Sequence, residues 1–516
     1  MAFGTPDASK ERKSGTLDIV VGAAGTLGGA IVGGLLMVVN EVLAARLLGI
    51  EVYGLFALAV ALAKISEKLS VFGLHLAALH FVPVFHGAQD QERLKGVIVG
   101  AMAICGVIST LAATLLWALA PWFANSVFNK PEAEPFIRLI AAAIPFMSMT
   151  ELVGNITRGL GFTRYYVIVR NLVPQLLFFV FICLLWAGDA PRIGVVVAFA
   201  LAYLLAFFVA LYGLDRSGMR ELASAHARFE PVILLRYALP IFLNTVLYMV
   251  VGWTDLLVLG IYRAAEEVGT YRAAMQIISI FDMVAVAINA ASVRSFVVGG
   301  HAASALLDQA YGLATRWLSA LAVPALMLVL INASDLLSLM GPNFAQGSAA
   351  LSILAVGAAV HCYFGAAGFL MVVSGKQAYE ALNAGAAGAA NILLNLLLVP
   401  RYGLLGAAIA SAFSLTLLNT LRALQVSRLF GVRSIRTEIL RTVAVGATVG
   451  AGVQIAFRSV GLADGSGPAA MLLRVAVFSG LFFPLYWRFG LRRSERDATR
   501  KIVRRFWSDR KNLFGN

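Results

Sequence analysis

Two lysines one helical turn apart, Lys64 and Lys68, lie inside an otherwise apolar stretch with Glu67 between them. At 100° per residue, Lys64, Lys68 and His75 fall within about 40° of one another, and Glu67 lies about 60° to one side. Two ammonium groups so placed, with a carboxylate beside them, can seat a phosphate or diphosphate, because lysine binds phosphate as a point charge. In the competing reading, Glu67 neutralises one lysine and the other snorkels to the membrane surface. Lys64 stands some ten residues into the stretch, about 15 Å at helical rise, which is deep for snorkelling. That depth favours a water-filled cavity.

A second polar face occurs later in the chain. Arg272, Gln276 and Ser279 share one side of a helix, with Asp282 and Asn289 on an adjoining side. Arg272 is near the end of its apolar stretch, so an interfacial arginine fits as well as a ligand. On the preceding stretch, Asn244, Tyr248 and Asp255 lie within about 40° of each other. The candidate substrate-binding residues are therefore Lys64, Glu67, Lys68, His75, Arg272 and Gln276. Glu41, Asp255 and Asp282 are candidates for carrying a coupling proton or sodium ion, although Glu41 and Asp255 could equally be structural hydrogen-bond acceptors. Glu151 and Arg170 could form a pair inside the membrane.

Other patterns carry no chemistry. Gly25-x-x-x-Gly29-x-x-x-Gly33 and Gly446-x-x-x-Gly450 lie in apolar helices, where small residues let helices approach closely. No Walker A sequence is present, His75 and His80 face different ways, and Cys105, Cys183 and Cys362 all lie within apolar stretches. The sequence thus predicts no catalytic residue, no metal site and no cofactor.

The elements that must position these residues follow from composition. The chain has 516 residues, 60% hydrophobic and 13% charged, with a mean hydropathy of +0.84. Soluble domains carry about a quarter charged residues, so a soluble protein is excluded. Fourteen apolar stretches, from 18–45 and 54–83 through 440–461 and 468–489, are long enough to cross a bilayer as helices. The 54–83 stretch is long and charged, so it is tilted, bent or lining water. A transmembrane barrel needs strict alternation, which Leu176-Leu177-Phe178-Phe179-Val180-Phe181-Ile182 lacks.

The net charge of +14 could suggest nucleic acid in a soluble protein. Here it marks topology. With the N-terminus inside, 29 of the 41 Lys and Arg fall in cytoplasmic segments and six on the opposite side. Both termini are then cytoplasmic. The tail, 490–516, is basic and suits either a helix on an anionic leaflet or a solvated segment.

The second half echoes the first. Glu41 matches Asp255, Gly54-Leu55-Phe56 matches Gly269-Thr270-Tyr271, and Gly161-Phe162-Thr163-Arg164-Tyr165 matches Gly375-Lys376-Gln377-Ala378-Tyr379. Pro191-Arg192-Ile193-Gly194 matches Pro400-Arg401-Tyr402-Gly403. An even number of spans separates the partners, so the halves share one orientation, related by an axis along the membrane normal. The expected architecture is an all-α polytopic membrane protein of about 14 transmembrane helices. It comprises a cytoplasmic segment 1–17, an N-lobe 18–214, a linker 215–236, a C-lobe 237–421 and two extra helices in 440–489.

With Ala45-Arg46-Leu47-Leu48-Gly49, Tyr53-Gly54-Leu55-Phe56, Leu239-Pro240, Asp255, Val268-Gly269-Thr270-Tyr271, Asn391, Asn395 and Pro400 to Ala408, the chain resembles the polysaccharide or oligosaccharide-lipid flippases of the MOP superfamily. That superfamily also holds the MATE exporters. The resemblance implies a flippase for a polyprenyl-diphosphate-linked oligosaccharide in the bacterial cytoplasmic (inner) membrane. Membrane lipids, and a polysaccharide polymerase with its chain-length machinery, would be its partners. A MATE-like exporter of small molecules and a membrane-embedded glycan polymerase or acyltransferase are the alternatives. The first is disfavoured because the first span has no ionisable residue between Asp18 and Glu41. The second is disfavoured because the short outer loops offer no acid–base constellation.

Overall fold

The computed structural model describes residues 8–188, 192–219, 222, 224–301, 304–434, 438–459, 467–490 and 496. The basic tail beyond Gly490 lies, apart from Arg496, outside them, as do residues 1–7 of the N-terminal segment. Among the described residues, regular structure is helical throughout. In chain order the helices are α1 (Ala8–Val71), α2 (Leu74–Gly87), α3 (Gln91–Trp122), α4 (Glu134–Ala141), α5 (Ile144–Gly159), α6 (Thr163–Val167), α7 (Val173–Ala187) and α8 (Gly194–Leu214). They continue with α9 (Pro231–Tyr262), α10 (Ala265–His301), α11 (Ser304–Ser338), α12 (Ser348–Val373), α13 (Gln377–Phe430), α14 (Glu438–Ser459) and α15 (Pro468–Leu485).

Among the described residues, ten helices are long and apolar enough to cross a membrane, or eleven if the bent pair α4–α5 is one span. Hydropathy alone predicts fourteen, and the difference has physical causes. α13 runs for 54 residues, about 80 Å at helical rise, against an apolar bilayer core of about 30 Å. It breaks at Gly403, whose φ of 52° only glycine adopts readily. α1 breaks in the same way at Gly49, with φ 75°.

The outward faces identify the solvent. On α3, Val107, Leu111 and Leu115 form an i, i+4, i+8 stripe that is 61%, 64% and 60% exposed. Such a stripe is untenable in water and is suited to lipid. At the start of α3 the sequence supplies a local cap, Asp90 accepting a hydrogen bond from the Arg93 amide at 3.1 Å. The stretch 54–83 is bent, because Phe72 and Gly73, with φ of 48° and 74°, separate α1 from α2.

The helices pack into two units. The first comprises residues 1–277, 340–350 and 384–414. Its core around Val71, Leu74, Ala77, Ile98, Leu152 and Ile156 is fully buried. The repeated glycines meet here: a Cβ on Gly54 would lie 1.9 Å from the Ala265 carbonyl oxygen, and one on Gly269 2.3 Å from that of Ile50. The linker is strapped to α3, with the Arg228 amide donating to the Glu92 carbonyl at 3.0 Å and Lys95 Nζ to that of Ala225 at 2.8 Å.

The second unit comprises residues 278–339, 351–383 and 415–516. Two buried ion pairs cross it. Arg422 Nε donates to both oxygens of Glu380 at 3.0 and 3.1 Å, and Arg474 Nη1 to Asp335 Oδ2 at 2.6 Å. Arg422 is buried, and the Glu380 carboxylate compensates its charge there. Asn383 and Gln425 exchange amide hydrogen bonds beside this pair.

Candidate functional site

From Phe56 to Glu67, α1 is an uninterrupted helix, so Phe56, Val60, Lys64 and Glu67 recur every three or four residues along one face. That face borders a cavity of about 300 Å³ within the first unit, room for about ten waters. Asn40 and Glu41 of α1, Glu151 of α5, Gln175 of α7, Tyr203 of α8 and Arg272 of α10 also line it. A π-helical turn, Ile168–Leu172, adds Arg170 and Asn171.

Charge on the wall is paired but not balanced. Glu67 Oε2 accepts from Lys64 Nζ at 3.0 Å, and its Oε1 from Lys68 Nζ at 3.2 Å. The Glu67 side chain is only 4% exposed, whereas those of Lys64 and Lys68 are 27% and 32% exposed. One carboxylate thus recedes behind two ammoniums. Arg170 Nε pairs with Glu151 at 2.7 Å, and Arg272 donates to Glu41. Four cations face three carboxylates, leaving a net charge of +1 on the wall. Tyr203 contributes its hydroxyl to Lys64 at 3.2 Å, and Tyr53 donates to Glu41 Oε2 at 2.6 Å.

Of the residues singled out by sequence, the structure brings Glu41, Lys64, Glu67, Lys68 and Arg272 onto this one wall. His75 does not line the cavity. The wheel that aligned it with Lys64 assumes a continuous helix, and the turn at Phe72–Gly73 interrupts it; the His75 Nδ1 is enclosed and lacks a hydrogen-bond partner. Gln276 is buried away from the cavity lining, and Asp282 is exposed on α10.

Asp255 is fully enclosed, accepting from Tyr271 at 2.7 Å, Asn391 at 2.8 Å and Asn395 at 2.6 Å. The repeat is visible here: in each half a tyrosine hydroxyl caps the equivalent carboxylate, Tyr53 on Glu41 and Tyr271 on Asp255. Only the first of these carboxylates reaches the cavity.

Sequence reasoning missed Asn40, Asn171 and Gln175, whereas the Glu151–Arg170 pair it allowed is formed. An isolated amide in an apolar helix has no periodic signature. The one available signal was the polar type itself, since buried amides require partners.

This arrangement can hold an anion in a water-accessible recess while its carboxylates keep the unliganded cations neutralised. Comparison with known proteins bears on the fold and the family. Over 185 residues the chain is 28% identical to the probable flippase AglR of Haloferax volcanii, covering 32% of this chain and 36% of that protein. It is 25% identical over 121 residues to stage V sporulation protein B of Bacillus subtilis, 23% of each chain. The matched segments thus span about a third and a quarter of these relatives' lengths. In fold, it is similar to the lipid II flippase MurJ in an inward closed conformation, with a TM-score of 0.68 and 13% identity over 90% of this chain and 99% of that one. An inward-facing multidrug resistance MATE transporter of the MOP superfamily gives a TM-score of 0.65 at 15% identity, over 79% and 98%. Residues 19–293 match the model of the polysaccharide biosynthesis protein family. With more than half of its length matched by that family model, the chain belongs to the polysaccharide biosynthesis protein family.

Proposed function

We propose that the protein is a flippase that carries a polyprenyl-diphosphate-linked oligosaccharide from the cytoplasmic to the outer leaflet of the bacterial inner membrane by alternating access. The observation that carries this reading is the wall of the cavity, where Glu67 recedes and the Lys64 and Lys68 ammoniums remain accessible. A diphosphate seated there sheds less hydration than one placed in lipid, while its prenyl tail stays in the bilayer. Arg272 and Arg170 border the same recess. An inside-negative potential favours outward movement of an anion by about 2.3 kcal/mol per uncompensated charge per 100 mV.

Of the carboxylates considered for ion coupling, we retain Glu41, which borders the cavity. Asp255, enclosed and held by Tyr271, Asn391 and Asn395, reads as a structural acceptor. Membrane lipids, and a polysaccharide polymerase with its chain-length machinery, are the partners this reading implies. A net-positive recess opposes the cationic drugs that a multidrug exporter would carry.

The test is translocation of a lipid-linked oligosaccharide in proteoliposomes by the double variant Lys64→Ala/Lys68→Ala. Loss of most of the activity, with retained thermal stability, supports the assignment; unimpaired translocation refutes it. Drug resistance conferred by overexpression of the wild type would favour the exporter reading instead.

A further inference from the structure

The same cavity has a second, uncharged edge. Asn40 Nδ2 donates to the Gln175 backbone carbonyl at 2.8 Å and to Gln175 Oε1 at 3.1 Å. A backbone carbonyl can only accept, so this contact fixes which end of the Asn40 amide is which. Asn40 is 1% exposed, and its Oδ1 has no hydrogen-bond partner. A buried acceptor without a donor is costly in an isolated protein and marks a place where a donor is expected. An ionised phosphate supplies none; a sugar hydroxyl does.

The surroundings match a sugar. With Oε1 committed to Asn40, Gln175 has its Nε2 as the remaining donor. Phe178, three residues along α7, also lines the cavity, and its ring meets Phe199 edge-on at 5.5 Å. Phe199 in turn lies 4.9 Å from Tyr203, the residue bonded to Lys64. Amide, aromatic and ammonium groups thus succeed one another around one recess. An aromatic face accepts the C–H face of a sugar ring, while amides read its hydroxyls.

We propose that Asn40 and Gln175 are specificity-determining residues that read a hydroxyl-bearing sugar attached to the diphosphate held by Lys64 and Lys68. The ligand class is accordingly a glycosyl diphosphate, and the inference rests on the anion-seat reading of the cavity given above.

The experiment measures binding of two probes to the full chain in nanodiscs: a short-chain polyprenyl diphosphate, and the same molecule carrying one monosaccharide. Asn40→Ala is expected to weaken the glycosylated probe about five- to tenfold, the worth of one or two neutral hydrogen bonds, and to leave the bare diphosphate within about twofold. Gln175→Ala retains the backbone carbonyl that Asn40 uses, and is expected to show the same selective loss if Asn40→Ala fails to fold. Lys64→Ala/Lys68→Ala should weaken both probes. Equal effects of Asn40→Ala and Gln175→Ala on the two probes, or none on either, would overturn the proposal; no effect is also what a buried water on Oδ1 would give. Failure of the wild type to bind the bare diphosphate would instead overturn the anion-seat reading.

Discussion

Neutralising Glu67 without changing its shape should tighten anion binding and slow transport. In Glu67→Gln the two ammoniums lose a carboxylate 3.0 and 3.2 Å away. A phosphate oxygen hydrogen-bonded to the far side of either ammonium would sit about 6 Å from that carboxylate. Two unit charges at that distance repel by about 3 kcal/mol at an effective dielectric constant of about 20. Roughly a third of each lysine side chain is exposed, and water in the recess screens the repulsion further, so about half of it is expected to survive. That corresponds to an affinity gain of about tenfold for an anion.

Release on the far side would then be slower, and turnover in proteoliposomes should fall although binding improves. The assay pairs equilibrium binding of a polyprenyl diphosphate with translocation of the full lipid-linked oligosaccharide, each at low and high salt. Glu67→Asp, which keeps the charge, is the control and should stay near wild type in affinity. Weaker or unchanged anion binding by Glu67→Gln would show that Glu67 does not oppose the ligand, and the electrostatic account of this wall would fall.

Two further outcomes follow from packing. Removing the partner of the buried arginine in Glu380→Ala should cost about 3–5 kcal/mol, lowering the melting temperature in detergent by on the order of 10 °C, whereas Glu380→Leu/Arg422→Met, which strands no charge, should cost less than either single variant. Gly54→Ala should sharply lower the yield of folded protein, because its Cβ would meet a backbone carbonyl at 1.9 Å, while Gly106→Ala on α3, with open space around it, should be neutral in the same thermal assay.

The readable and unreadable parts of this protein differ in kind. Apolar spans and the repeat are properties of composition along the chain, so the helices and the equivalence of Gly54 with Gly269 could be stated from sequence. The cluster at Lys64, Glu67 and Lys68 was readable because one helix holds all three. His75 was misplaced because two residues of positive φ, Phe72 among them, reset the helical phase, and a phenylalanine gives no warning of that. The pairing of Arg422 was not legible because its partner, Glu380, is 42 residues away along the chain. A count of charges along the chain assigns a side of the membrane and carries no information on a distant partner. Asn40 and Gln175 are 135 residues apart and became a pair only once α1 and α7 were packed together.

Gly54 and Gly269 meet face to face, so each limits what the other can become. Residues that match each other in a duplicated sequence lie against one another, each glycine admitting the backbone that precedes its counterpart. A position touching its own equivalent is the mark of an isologous contact, the kind found on the twofold axis of a homodimer. Mutational drift at either glycine is then constrained by the other, because neither backbone can retreat from an added side chain.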